Sequence, residues 1–356
     1  MQRTVYIVLA ILLFGFLIFV HELGHFLVAK WMGVRVNEFA LCMGPAIWQK
    51  KVGETTYSLR CIPLGGYCAM EGEDERSSDP RAFTSKARWR QALILVAGAF
   101  MNFLVGFLIL LVLSAMSRSF ATPVIAGFYD GSGLDDPGRF QVGDRIISID
   151  GERVYRNQDI ELILSRGDDT SYDIVVRRDG KTVTLSDQVM EKKSFTIEGR
   201  SYLLYGLQFS TQPKTIGTVV REAWFTAIDF ARMVKWGLLD LFSGSVGLRD
   251  FSGPVGIVSM ISESGEEAPT TWVGVLNVLY IGAFLAINLA YMNMLPIPAL
   301  DGGRVFFLLV TAAIEKVIRR RLNPKYEGYI HAAGMVVLMA FMVFVTFSDL
   351  WKLFAG

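Results

Sequence analysis

The sequence predicts an α-helical integral membrane protein with four transmembrane helices and one small α+β domain outside the bilayer. Three observations predict it. Of the 356 residues, 52% are apolar and 19% charged, whereas a soluble domain carries roughly 45–50% and about 25%. The apolar residues gather in four runs close to the ~20 residues that cross a bilayer as a helix. Between the second and third runs, stretches such as RIISID, YDIVVRR and KTVTLS alternate between Gly and Asp turns, the pattern of short strands. A net charge of +1 offers no basic footprint for nucleic acid.

The first span falls within residues 1–32. Residues 5–20 carry no charge, and no small-residue cleavage site follows them, so the run reads as a retained helix and not a signal peptide. The connector 33–91 holds Cys42, Cys61 and Cys68. An odd, scattered count makes a poor disulfide framework, and the three read as small buried hydrophobes. The second span is 92–117, uncharged from residue 92 to 116, and the external domain is 118–212. In 213–271, Val219, Val220, Ala223, Trp224, Ala227, Ile228 and Ala231 recur at helical spacing among Arg221, Glu222, Asp229, Arg232 and Lys235. That pattern fits an amphipathic helix on the membrane surface, and equally a helix packed on the external domain.

The third span, 272–316, is broken at LPIPALDGG, where two prolines and two glycines interrupt regular helix. Irregular backbone at membrane depth persists only when buried in protein or lining a polar cavity, so the break is a candidate site. The fourth span is 328–350. It contains His331, read as packed or hydrogen-bonded within the bundle and not as a ligand. Ten Lys or Arg lie from residue 30 to 90, and Arg304, Lys316, Arg319, Arg320, Arg321 and Lys325 follow the third span. The positive-inside rule places both basic connectors in the cytoplasm, with both termini and the α+β domain outside it.

The chemistry centres on HELGH, residues 21–25. Residues four apart share a helix face, so His21 and His25 can offer two imidazoles to one metal ion. Glu22, one step round, can reach a water on that ion and act as general base, then return the proton to a leaving amine. Only three histidines occur in the chain, and two are here. Ionisable side chains in an apolar helix cost at least about 2.5–3.5 kcal/mol at mid-span, so they are read as functional. The bland alternative is a polar cluster at a helix end. The rise per residue sets His21 roughly 24 Å along the helix from Val5, near the cytoplasmic face. A zinc site needs a third ligand and an open position. Asp301 in the broken span can supply that ligand, or can cap the helix that follows.

HELGH together with NMLPIPALDGG resembles the site-2 protease family of intramembrane zinc metalloproteases. The order of parts is similar to its bacterial sigma-E-regulating type, over nearly the whole chain. The resemblance implies that His21, His25 and Asp301 bind one Zn²⁺ and that Glu22 is catalytic. It also implies that Asn293 handles substrate, where an amide can hold the backbone or the developing oxyanion. IPLGGYCAMEGE, residues 62–73, resembles the family's cytoplasmic membrane-associated β-hairpin; Gly65, Gly66 and Tyr67 match it, and Cys68 and Ala69 depart from it. Such a hairpin is expected to pair with an unwound substrate strand; an ordinary Gly-Gly turn is the alternative.

VGDRIISIDG, residues 142–151, resembles a PDZ module, although YDGSGLDDPGRF lacks that module's usual wording. The external domain is therefore expected to be a single PDZ-like α+β domain, binding peptide or excluding targets with bulky outer domains. SGPVGI, residues 252–257, matches a further family segment and suggests a tight turn. The expected partners are the lipid bilayer and single-span membrane proteins, anti-sigma factors or remnant signal peptides already trimmed by a site-1 protease. The expected place is the bacterial cytoplasmic (inner) membrane. Prenyl-protein endopeptidases also carry HExxH, but they recruit a later helical Glu that the apolar spans here lack.

Overall fold

The structure is a computed structural model that describes residues 2–73, 77–136, 138–167, 171–197, 199–247, 252–319 and 324–355. Of the basic residues on which the expected orientation rests, Arg76, Arg320 and Arg321 lie outside the described residues. The elements in chain order are α1 (Gln2–Trp31), β1 (Val36–Val52), β2 (Thr55–Met70), α2 (Arg88–Met116), β3 (Ser119–Phe128), β4 (Arg145–Ile149), β5 (Glu152–Arg153), α3 (Asn157–Leu164), β6 (Ser171–Arg178), β7 (Lys181–Val189), β8 (Lys193–Ile197), β9 (Arg200–Leu204), β10 (Leu207–Pro213), α4 (Ile216–Ser243), α5 (Pro254–Glu266), α6 (Thr271–Asn293), α7 (Asp301–Ile318) and α8 (Pro324–Ala355). They form two compact units, Met1–Leu110 with Phe230–Gly356, and Leu111–Asp229.

Four helices among the described residues are long and apolar enough to cross a membrane: Arg3–Trp31, Arg88–Met116, Thr271–Asn293 and Gly328–Lys352. These are the four expected spans, each with somewhat different ends. Helix α2 starts ahead of its apolar run because Arg88 pairs with Glu315 of α7, which gives the polar first turn a partner. Thr270 caps α6 by accepting from the Val273 amide, satisfying one of the amides a helix start leaves open.

Helices α1, α5 and α6 pack around Tyr6, Ala10, Leu17, Ile261, Val278, Leu285 and Ala286. Gly265 and Gly274 have no room for a Cβ beside the Tyr6 ring. Small residues that let helices approach are how membrane helices associate, since lipid supplies little hydrophobic drive.

The expected turn at SGPVGI is instead the start of a helix. Gly253 is the N-cap of α5 and Pro254 its first residue, where proline's missing N–H costs nothing. The Gly256 amide donates to Asp349 Oδ2 on α8 at 2.8 Å. A Cβ on Gly253 or Gly256 would lie 2.8 or 3.1 Å from the Asp349 carboxylate. The two glycines thus admit a carboxylate to the positive end of α5.

Strands β1 and β2 form a sheet in which each is used twice. Residues 46–52 pair with 55–60 as a hairpin, residues 38–41 run beside 56–59, and residues 36–41 pair antiparallel with 66–70. Among the described residues the outer edge of 66–70 has no strand partner. The base of this sheet shares a core with the ends of α1 and α2, through Ala29, Met32, Val36, Phe39, Met70 and Ile94. Of the three cysteines only Cys68 is buried; Cys42 is half-buried and Cys61 exposed. The buried-hydrophobe reading therefore holds at one position, because Cys61 lies where β2 leaves the core. Burial pushes the Cys68 thiol up, which keeps it neutral.

The second unit is an α+β fold with the sheet order β10-β3-β4-β6-β7, β5 beside β4, and a separate β8–β9 hairpin. RIISID, YDIVVRR and KTVTLS become β4, β6 and β7. Within them Ile146, Ile149, Ile174, Val176 and Leu185 are buried, each worth roughly 1.5–3 kcal/mol. The first half of α4 packs within this unit: Arg156 reaches Thr226 at 2.6 Å and binds Asp229. Its Val220 and Trp224 remain exposed.

Candidate active site

His21 and His25 project from one face of α1, ring centroids 4.8 Å apart and nearly perpendicular. Their Nε2 atoms are 3.2 Å apart. Asp301 Oδ2, from the first turn of α7, lies 3.1 Å from His21 Nε2 and 3.3 Å from His25 Nε2. The three donor atoms form a nearly equilateral triangle. A tetrahedral ion with bonds of about 2.0–2.2 Å has ligand–ligand edges of roughly 3.3–3.6 Å, so the triangle is close to the size of a zinc site. Asp301 Oδ2 is buried and receives no hydrogen bond, the condition of an oxygen that a cation would satisfy. Among the described residues this trio is the group able to hold a metal ion.

Two contacts set the tautomers. His25 Nδ1 is 2.8 Å from the Ile94 carbonyl, so Nδ1 carries the proton and the Nε2 lone pair faces the trio. His21 Nδ1 lies 3.4 Å from the Asn102 amide. Asn102 is 1% exposed, and its Oδ1 has no partner. Rotating that amide by half a turn lets Nδ1–H donate to Oδ1, which satisfies both groups and again frees Nε2.

Glycines make the space. A Cβ on Gly98 would overlap His25 Nε2 and come within 2.7 Å of His21 Cε1; one on Gly24 would strike the Ala97 carbonyl. Helices α1 and α2 therefore cross backbone to backbone at Gly24 and Gly98, which carries Asn102 to His21. Cβ atoms on Gly302 and Gly303 would strike the backbone of Met294 and Ile297. The glycines of ALDGG let α7 begin against its own preceding loop. Leu300 is the N-cap of α7 and Asp301 already lies inside the helix, so the capping role weighed for Asp301 is not the one it takes. Beyond it, Arg304 pairs with Glu73 just past β2, and Glu315 with Arg88 of α2, so both ends of α7 are tied.

Glu22 lies on the β2 side of the trio. A Cβ on Gly66 would sit 3.2 Å from Glu22 Cγ and 3.0 Å from the Ala40 carbonyl, so only glycine lets the strand run this close. The Cys68 backbone amide faces the Glu22 carboxyl. Tyr67 points to the opposite face, as strand alternation requires; Arg60 covers its ring, and its hydroxyl lies near Glu38. Gly65 adopts φ 71°, a conformation glycine takes freely. Asn293 is the last residue of α6, with no side-chain hydrogen bond among the described residues. The sequence reading missed Asn102 and Gly98. Their signal was there: Asn102 is the one amide in an otherwise apolar run from residue 92 to 113, and a lone amide in a span is rarely idle.

Residues 9–341 match the model of peptidase family M50. A protein assigned as a zinc metalloprotease in Fusobacterium nucleatum is 33% identical over 359 residues, spanning 97% of this chain and 98% of the relative. One so assigned in Clostridium perfringens is 35% identical over 348 residues, with 97% and 98% coverage. The regulator of sigma-W protease RasP of Bacillus subtilis is 28% identical over 428 residues, again with 97% and 98% coverage. With a histidine pair and a carboxylate set in a zinc-sized triangle, the chain belongs to peptidase family M50, the site-2 proteases, and is a zinc metalloprotease.

Proposed function

We propose that this chain is an intramembrane endopeptidase that cuts single-span membrane proteins, with His21, His25 and Asp301 as the zinc ligands. The observation that carries the proposal is the triangle of Nε2, Nε2 and Oδ2 atoms, built from a membrane-length helix and the break in another. When bound there, zinc acidifies a water toward a pKa of about 7 and polarises a carbonyl. Glu22 takes the proton from the attacking water and delivers it to the nitrogen of the leaving chain. Asn293, with no side-chain hydrogen bond among the described residues, holds the substrate backbone at the break.

A helix hides its peptide groups, so the target must be drawn out before cleavage. The open edge of residues 66–70, beside Glu22, supports strand addition through Gly65 and Gly66; Tyr67 braces that strand from behind. Exposed Ile47, Trp48 and Val52 on β1, with Lys50 and Lys51 among them, support a hairpin lying on the membrane surface. Basic connectors support a cytoplasmic place for it. The α+β unit outside is a PDZ-like module that sorts targets, anti-sigma factors or remnant signal peptides first trimmed by a site-1 protease. Exposed Val220 and Trp224 support α4 as an interfacial helix.

The test is Glu22→Gln in proteoliposomes with a model single-span substrate. The variant is expected to keep one zinc per chain and lose cleavage. Cleavage at the wild-type rate would refute the assigned chemistry.

A further inference from the structure

Asp301 reaches the histidine pair only if the seven-residue break before it holds one shape, and that shape is unusual. Ala299 sits at φ 80°, a left-handed conformation that is strained for a non-glycine residue and persists only where its surroundings enforce it. The loop supplies some of that enforcement: Ile297 donates to the Leu295 carbonyl at 2.7 Å, and Leu300 to the Ile297 carbonyl at 3.2 Å. The Ala299 amide is held from outside. It donates to His331 Nδ1 on α8 at 3.1 Å.

The same imidazole packs edge-on against Phe307 of α7, centroids 5.3 Å apart. One turn along α8, Gly334 has no room for a Cβ, which would lie 2.5 Å from Pro298 Cβ. His331 and Gly334 are three residues apart and share a face. This single turn of α8 therefore grips Pro298 and Ala299 before Asp301, and Phe307 after it. Helix α8 buries little else along its apolar length.

We propose that His331 is a positioning residue for the metal centre: its Nδ1 lone pair holds the Ala299 amide and so fixes the backbone that aims Asp301 at His21 and His25. The proposal rests on the reading of Asp301 as a zinc ligand. Without the acceptor, Ala299 relaxes toward negative φ, and Leu300 and Asp301 turn with it. His331 is neither a ligand nor a proton carrier.

The experiment compares His331→Phe, which keeps a ring against Phe307 but has no acceptor, with His331→Asn, whose Oδ1 stands near the Nδ1 position. Full-length protein in detergent is read in three ways: Zn²⁺ affinity by competition with a chromophoric chelator, the visible spectrum of the Co²⁺-substituted protein, and hydrogen exchange of residues 294–304. His331→Phe is expected to bind zinc about 10–100-fold more weakly, the usual cost of losing a residue that orients a ligand. It should also shift the Co²⁺ bands and expose the loop to exchange, while His331→Asn restores most of all three. Where the Phe variant does not accumulate, His331→Leu takes its place. Wild-type affinity and loop protection in the variant lacking an acceptor, or an Asn variant as weak as it, overturn the role of the lone pair. Asp301→Ala runs alongside; if it binds zinc as tightly as wild type, the ligand assignment falls and this proposal with it.

Discussion

One proton decides whether a histidine can bind a metal, and here each proton has a named place. The Ile94 carbonyl holds that of His25, and Asn102 stands where it can hold that of His21. Such partners keep the lone pair aimed inward and raise ligand basicity, and their loss typically lowers metal affinity about 10–100-fold. Asn102→Ala is expected to weaken Zn²⁺ binding by that order, measured by chelator competition, with the helix content unchanged. Gly98→Ala acts through shape, because its methyl occupies the space of His25 Nε2. It is expected to lose zinc more completely than Asn102→Ala; near-stoichiometric zinc in purified Gly98→Ala would show that α1 and α2 can part without harm to the site.

At the scale of elements, buried charge joins α3 to α4. Arg156 faces Asp159, Glu222 and Asp229, and all four are buried; Glu222 has a second cation in Arg221 at 3.5 Å, which leaves Arg156 to Asp159 and Asp229. Burial first, and then the Asp159 carboxylate, push Asp229 up to about 7 against the pull of Arg156. An unfolded Asp titrates near about 3.9. Between these values the folded junction holds a proton that the unfolded chain does not. Its stabilising effect is complete below about pH 4 and is lost as pH rises through about 7. Hydrogen-exchange protection of residues 222–229, corrected for intrinsic rates, should fall between about pH 5 and 8. Asp229→Asn should flatten that fall; an unchanged slope would place the titrating group elsewhere. In the other unit, Asp349 of α8 closes the start of α5.

At the scale of the molecule, a metal held by the proposed trio would be a clasp between the first helix and the seventh. A ligand that binds only the folded state stabilises it by RT ln(1 + [L]/Kd), about 2.7 kcal/mol at a hundredfold excess over Kd. Removing zinc is expected to lower the thermal midpoint in detergent and to raise hydrogen exchange in the first turn of α7. The Arg304–Glu73 and Arg88–Glu315 pairs should keep the rest of α7 in place. A midpoint that ignores chelation would mean that α1 and α7 are held without the ion.

The four spans, the strands of the second unit and the candidate trio of His21, His25 and Asp301, which the structure brings together, were legible from residue order, because a membrane span and a helical face are local properties. The same order left two readings of Asp301 and of α4, and took SGPVGI for a turn. It gave no partner to Asn102, Gly98 or His331. Those depend on which backbones approach, and that is settled by where glycines let helices cross and where a strained loop is gripped from another helix. Local chemistry in the sequence determined the candidate donor set. Tertiary packing alone decided that the donors meet at the spacing of a zinc ion, because that spacing is a distance between helices far apart along the chain.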